Sequence, residues 1–184
     1  MAQFNEQAII NISCETLDAK IYYTLDGTEP SASSSTLYSN EFTTFKNVTV
    51  KAIGIKDGLL ASDIDTETIT VKLPNKESYY NKTVYNDYVK ISLANSLSST
   101  YGSTCKCRYT TDGTDPTVST TSILAEGVEI TLTSNCIFKA IITADNNVNS
   151  DIVSIDISTL RVLTPDIIAF NDEVVADPTF IVEY

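Results

Sequence analysis

The 184-residue chain carries a formal charge of −12, with 24 Asp and Glu against 12 Lys and Arg. Such a field repels phosphate, so nucleic acid is set aside and only basic or cationic partners are favoured. The chain has no His and no Trp, which removes the commonest general base, the commonest zinc ligand and the best platform for stacking a sugar ring.

Residues 8–13, with Ile10 and Ile12 alternating, predict a first strand. Lys20–Thr24 predicts a second, which runs into Leu25-Asp26-Gly27-Thr28-Glu29-Pro30. A polar loop at 31–35 follows, then short strands at Leu37-Tyr38 and Glu41–Thr44. Asn47–Ile55 is the clearest strand of this half: Val48, Val50 and Ala52 face one way, Thr49 and Lys51 the other. Asp57-Gly58 predicts a turn, and Ile64–Leu73 a closing strand with Ile69, Val71 and Leu73 inward. Pro74–Asn86 is polar and tyrosine-rich and reads as a linker. Tyr79, Tyr80, Tyr85 and Tyr88 are expected to pack the joint between two domains rather than form a binding surface.

The second half repeats the first. Tyr23-Thr24-Leu25-Asp26-Gly27-Thr28-Glu29-Pro30 recurs as Tyr109-Thr110-Thr111-Asp112-Gly113-Thr114-Asp115-Pro116, 86 positions later. Lys51-Ala52-Ile53 and Ser62-Asp63-Ile64 recur as Lys139-Ala140-Ile141 and Ser150-Asp151-Ile152, 88 positions later. In each motif copy Asp bonds its own backbone two residues on, Gly takes φ > 0, and Pro stops further pairing. Asp26, Gly27, Pro30, Asp112, Gly113 and Pro116 are therefore expected to build structural turns. The second half begins at Tyr88–Ile91, carries an extra polar loop at Ser96–Ser103, and adds strands at Cys136–Ile142 and Asp151–Ile157.

The predicted organisation is all-β: a sandwich at 1–74, a linker at 75–86, a second sandwich at 87–160, and a strand-rich tail at 161–184. In the tail, Asn171-Asp172 is a hairpin signal and Thr179–Tyr184 reads as a further strand. The 24 residues of this tail are too few for a core of their own. The tail must fold back on the second domain or pair with another chain. Phe170, Phe180, Ile181, Val182 and Tyr184 are its candidate assembly residues.

The cysteines, Cys14, Cys105, Cys107 and Cys136, lack a metal-ligand spacing. By repeat alignment Cys107 replaces Ile21 and Cys136 replaces Val48, which suits small buried thiols. A Cys107–Cys136 bridge is the alternative, and it requires an oxidising compartment. Met1–Glu6 lacks the charged and apolar regions of a signal peptide, and no run of 18 apolar residues occurs. The expectation is a chain that stays in the cytosol unless it leaves inside an assembly, with no membrane partner.

The motif with its Ser/Thr-rich loop, the Lys-Ala-Ile strand and the later Ser-Asp resemble the C-terminal Ig-like module of chitobiase and hexosaminidase. The resemblance covers about residues 8–73 and 88–158 and omits the tail. It implies two tandem Ig-like β-sandwich domains of antiparallel strands. It carries no catalysis, because the module accompanies a catalytic barrel that this chain shows no sign of.

Paired carboxylates at Asp26/Glu29, Asp112/Asp115 and Asp63/Asp65 sit in repeated turns, which structure explains better than a glycosidase cleft does. No nucleophile has a His base, and no loop has the ligand positions of an EF-hand. No catalytic residue, cofactor or metal is expected, and a glycan partner has no support beyond the tyrosines. Asn11, Asn47 and Asn81 open glycosylation patterns that mean nothing without secretion. The expected role is a non-enzymatic structural protein of a virus particle: a bacteriophage capsid decoration or other head or tail component. Its expected partners are other virion proteins (capsid or fibre subunits) and possibly itself, and its place is the virion assembled in the host cytoplasm. The alternative is a secreted or cell-surface bacterial module that binds polysaccharide or spaces domains; a hydrolase accessory module is a third option.

Overall fold

The computed structural model describes residues 2–75, 79–94, 96–117, 122–158, 160–163 and 165. The candidate assembly residues Phe170, Phe180, Ile181, Val182 and Tyr184 lie outside the described residues.

In the first half, the strands are β1 (Ala2–Asn5), β2 (Ala8–Ile10), β3 (Lys20–Thr24), β4 (Thr36–Leu37), β5 (Phe42–Thr44), β6 (Val48–Ile55) and β7 (Asp65–Lys72). They form two sheets, β1-β7-β6-β3-β4 and β2-β5. Alternation drives the closure: Val50, Ile69 and Val71 from one sheet meet Ala8 and Ile10 from the other in a single core. Each such aliphatic side chain contributes about 1.5–3 kcal/mol on burial. Among the described residues every strand pairing in this half is antiparallel except that of β1, which lies parallel to β7; Asp26 and Thr49 add an isolated parallel bridge.

The second half contains β8 (Tyr80–Val84), β9 (Val89–Leu93), the short helix α1 (Ser98–Tyr101), β10 (Lys106–Thr110), β11 (Ser122–Leu124), β12 (Glu129–Leu132), β13 (Cys136–Thr143) and β14 (Val153–Ile157). Its sheets are β11-β10-β13-β14 and β12-β9-β8. Phe138, Ala140, Ile91, Leu124, Cys107 and Ile157 are almost fully buried between them. The all-β class and the two tandem Ig-like sandwiches predicted from sequence are present.

β1, β11 and β12 are strands beyond those expected from sequence, and two further stretches differ from the structure expected of them. Tyr80–Val84, in the segment read as linker, is strand β8, fully paired to β9 from Tyr80↔Leu93 to Val84↔Val89. Only Tyr80 of the five residues is buried, so the strand lacks the alternation that would have marked it. The Ser96–Ser103 loop holds α1, with Leu97 and Tyr101 buried four positions apart. Its N-terminal groups are met by Glu126 instead of a local cap. The Glu126 carboxylate accepts from the Ser98 N–H (2.7 Å), the Ser98 hydroxyl (2.7 Å) and the Ser96 hydroxyl (2.9 Å).

The sandwiches stack end to end through a dense joint. Val148 of the second donates its N–H to Val71 O and accepts from Leu73 N, both at 2.9 Å, as a short parallel bridge. Asn147 Nδ2 donates to Phe45 O (2.7 Å) and Val71 O (3.2 Å), and Asn47 N donates to Asn146 O (2.8 Å). Lys72 pairs with Asp151 at 2.6 Å. Leu73, Leu97, Tyr101, Cys105 and Ile142 form a separate apolar cluster, with Phe45 and Tyr79 packed against it. Side chains from both units thus share one core.

Candidate functional site

The repeated motif has the same geometry in both copies. Asp26 Oδ1 accepts from the Thr28 N–H (3.0 Å) and hydroxyl (2.6 Å), while the Thr24 hydroxyl donates to Thr28 O (2.6 Å). Asp112, Thr114 and Thr110 repeat these three bonds at the same distances. Gly27 and Gly113 both sit at φ +79°, a conformation costly for any residue with a Cβ. Their N–H groups donate across to Thr49 O (3.0 Å) and Ile137 O (3.1 Å), tying each turn to the first residues of the next long strand. Pro30 and Pro116 are buried just beyond. The Thr hydroxyl, then the Thr N–H, holds the Asp26 and Asp112 carboxyls below the usual range. In both copies Oδ1 of the carboxylate serves its own turn.

The later Ser-Asp pairs are also structural. Ser62 Oγ accepts the Gly54 N–H and donates to Asp63 O; Ser150 Oγ accepts the Ile142 N–H and donates to Asp151 O. Of the other candidate carboxylates, Asp115 pairs with Lys139 at 3.0 Å. Asp63 and Asp65 are exposed at the entry to β7. Among the described residues no group of three or more His, Cys, Asp or Glu is placed to hold a metal, and no helix is long and apolar enough to cross a membrane.

The tyrosine cluster is divided among three places. Tyr79 packs at the joint. Tyr80 enters the second core, edge-on to Phe138 at 6.1 Å, its hydroxyl 3.6 Å from Cys107 Sγ. Burial first, and then the Cys107 thiol, pushes the Tyr80 pKa up. Tyr85 and Tyr88 stack on each other at 4.2 Å on the β8–β9 turn, at the far end of the second sandwich. At the joint, an open cleft of about 490 Å³ is lined by Glu6, Gln7, Phe45, Tyr79 and Tyr101, with the Tyr101 hydroxyl donating to Glu6 O (3.2 Å).

All four cysteines are free thiols: Cys14 exposed, Cys136 half-buried, Cys105 and Cys107 buried. Cys107 belongs to the second core and Cys105 to the joint. Burial pushes both up to about 11, which is the behaviour of packing groups and not of nucleophiles.

Residues 2–66 match the chitobiase/beta-hexosaminidase C-terminal domain family. Residues 96–157 match the Fn3-associated family. Each sandwich is thus similar to one of these module families. The chitobiase/beta-hexosaminidase family is named for a C-terminal, non-catalytic part of an enzyme, in keeping with motif carboxylates that serve turns. No curated protein matches the chain.

Proposed function

We propose that the chain is a non-enzymatic structural protein, a two-sandwich arm of fixed geometry in a larger assembly. The particle of a bacteriophage is the assembly we favour, with capsid or fibre subunits as partners and the virion as its location. The joint carries this reading. Its shared core and its backbone bridge between Val148 and Val71–Leu73 fix the angle between the modules. That is what a spacer or decoration needs and a flexible tether does not. The motif carboxylates, engaged in turns, support a structural part over a catalytic one.

The test is co-purification. Density-banded particles should contain the chain at fixed stoichiometry, resistant to high-salt washing. Particles without the chain, together with its retention on chitin or peptidoglycan, would favour the bacterial-surface reading. The match of the first sandwich to the chitobiase/beta-hexosaminidase C-terminal domain is what keeps that second reading open.

A further inference from the structure

The joint is built from features that the repeat supplies twice, and each end of the molecule carries half of one. The β6–β7 and β13–β14 loops match position for position. Ser62 Oγ holds the Gly54 N–H as Ser150 Oγ holds that of Ile142, and both loops open on a turn, at Asp57-Gly58 and Asp145-Asn146. Val148, which makes the backbone bridge of the joint, therefore corresponds to Leu60, 88 positions earlier. On the facing side, Asn47 Oδ1 accepts from Val71 N (2.7 Å) as β7 leaves the first sandwich, and Asn135 Oδ1 accepts from Leu160 N (2.9 Å) just after β14. By that bond Lys72 and Leu73 correspond to Arg161 and Val162, 89 positions later. Leu73 is buried in the joint, whereas Val162 is 95% and Leu60 96% exposed. Leu59, and Leu17 whose carbonyl accepts from Lys56 Nζ (2.8 Å), stand exposed near Leu60; Leu163 stands exposed beside Val162.

We propose that the β6–β7 loop of one copy docks on the far end of the second sandwich of another, so that copies join head to tail through a repeat of the internal joint. Leu60 enters between the Leu160 carbonyl and the Val162 N–H, as Val148 sits between those of Val71 and Leu73. Asp63 meets Arg161, both exposed, as Asp151 meets Lys72. A second copy is the occupant because each end carries what the other requires, leucine for valine and acid for base. β6 runs away from the joint at Asn47 toward Ile55, and β13 runs toward it from Cys136, so the two patches lie at opposite ends of the molecule. The contact is therefore heterologous, and it extends as a filament instead of closing as a dimer. It is also weaker than its model. Leu59 replaces Asn147 and that residue's two hydrogen bonds, and among the described residues the first half has no counterpart of α1. Inside the chain the halves are tethered, whereas copies meet only at the concentration of the protein. Such joining presupposes the fixed-geometry arm of the proposed function and lengthens it.

Sedimentation velocity of the full chain over a concentration series is the test. The weight-average mass should rise continuously with concentration, without a plateau at the dimer. Leu60→Asp and Val162→Asp, at side chains exposed in the single copy, should each hold the chain at monomer mass with unchanged melting. Mixed in equal amounts, the two variants should form a heterodimer and nothing longer, since each retains the half that the other has lost. Arg161→Asp should weaken assembly roughly two- to tenfold, and Asp63→Arg added to it should restore assembly, as for one exposed charge pair. A parent chain that stays monomeric throughout, or a mixture of the two variants that stays monomeric while the parent assembles, would overturn the head-to-tail contact. A dimer plateau that both variants leave unchanged and Phe180→Asp abolishes would assign self-association to the tail and overturn it likewise. Particle association by a chain that is monomeric at every concentration would sink the joining and leave the structural role intact. Assembly in solution without particle association would support the joining while the particle reading fails alone.

Discussion

Leu73→Ala tests whether the joint makes one cooperative body of two modules. Leu73 is 2% exposed and lies between the units, against Leu97, Tyr101, Cys105 and Ile142. Truncation removes three carbons, roughly 2.4 kcal/mol at ~0.8 kcal/mol per buried methylene. The cavity left among those neighbours brings the loss to about 3 kcal/mol, inside the usual range for buried Leu→Ala. Differential scanning calorimetry with urea titration is the assay. The parent chain should unfold in one transition whose van't Hoff and calorimetric enthalpies agree. The variant should lose about 6–12 °C, at ~2–4 °C per kcal/mol for a cooperative unit of this size, and should split into two transitions. A single transition displaced by less than about 2 °C would mean that Leu73 does not couple the modules, and the fixed-geometry reading would lose its support.

The turns offer a second check. Val at Gly27 or Gly113 would place Cβ 3.4 Å from Thr49 Cγ2 or 3.5 Å from Ile137 Cβ. Space therefore suffices, and the penalty is the φ of +79°, about 1–2 kcal/mol or somewhat more for a β-branched residue. Unchanged melting in both variants would contradict the turn assignment. Acid should also weaken the fold through Asp26 and Asp112. Their carboxyls lie below the ordinary 3.8 when folded, so their contribution is complete above that value and is lost as pH falls through the folded pKa. Asp26→Asn with Asp112→Asn should flatten the stability profile below pH ~4; an identical acid limb would show that these turns do not titrate with folding. Finally, Ellman's reagent at neutral pH should modify Cys14 promptly and leave Cys105 and Cys107 protected until denaturant is added. Immediate reaction at all four thiols would refute their burial.

The strands that bury one face were legible because alternation writes itself into sequence: Val48, Val50, Ile69 and Val71 announced β6 and β7. The motif turns were legible through residue chemistry, since Asp, Gly and Pro at those offsets have few other uses. Besides the short strands β11 and β12, three missed elements have reasons that lie elsewhere in the chain. β1 is four residues with little burial, held by its neighbour's edge. β8 is a polar strand anchored by the single buried Tyr80. α1 is stabilised by Glu126, about thirty positions away, and only Leu97 and Tyr101, one helical turn apart, hinted at it. The routing of the leading strands, β1 to β7 in the first half and β8 to β9 in the second, could not be read at all.

That routing also sets how the molecule carries load. β1 runs toward the joint beside β7, with Ala2 at Ile69 and Asn5 at Lys72, and β7 leads directly into the second sandwich. Tension between the two ends of the chain pulls β1 one way and β7 the other. The four paired positions are then sheared together, where a hairpin opened from its end would yield one bond at a time. A strand too short and exposed to add much to equilibrium stability is placed to act as a mechanical clamp.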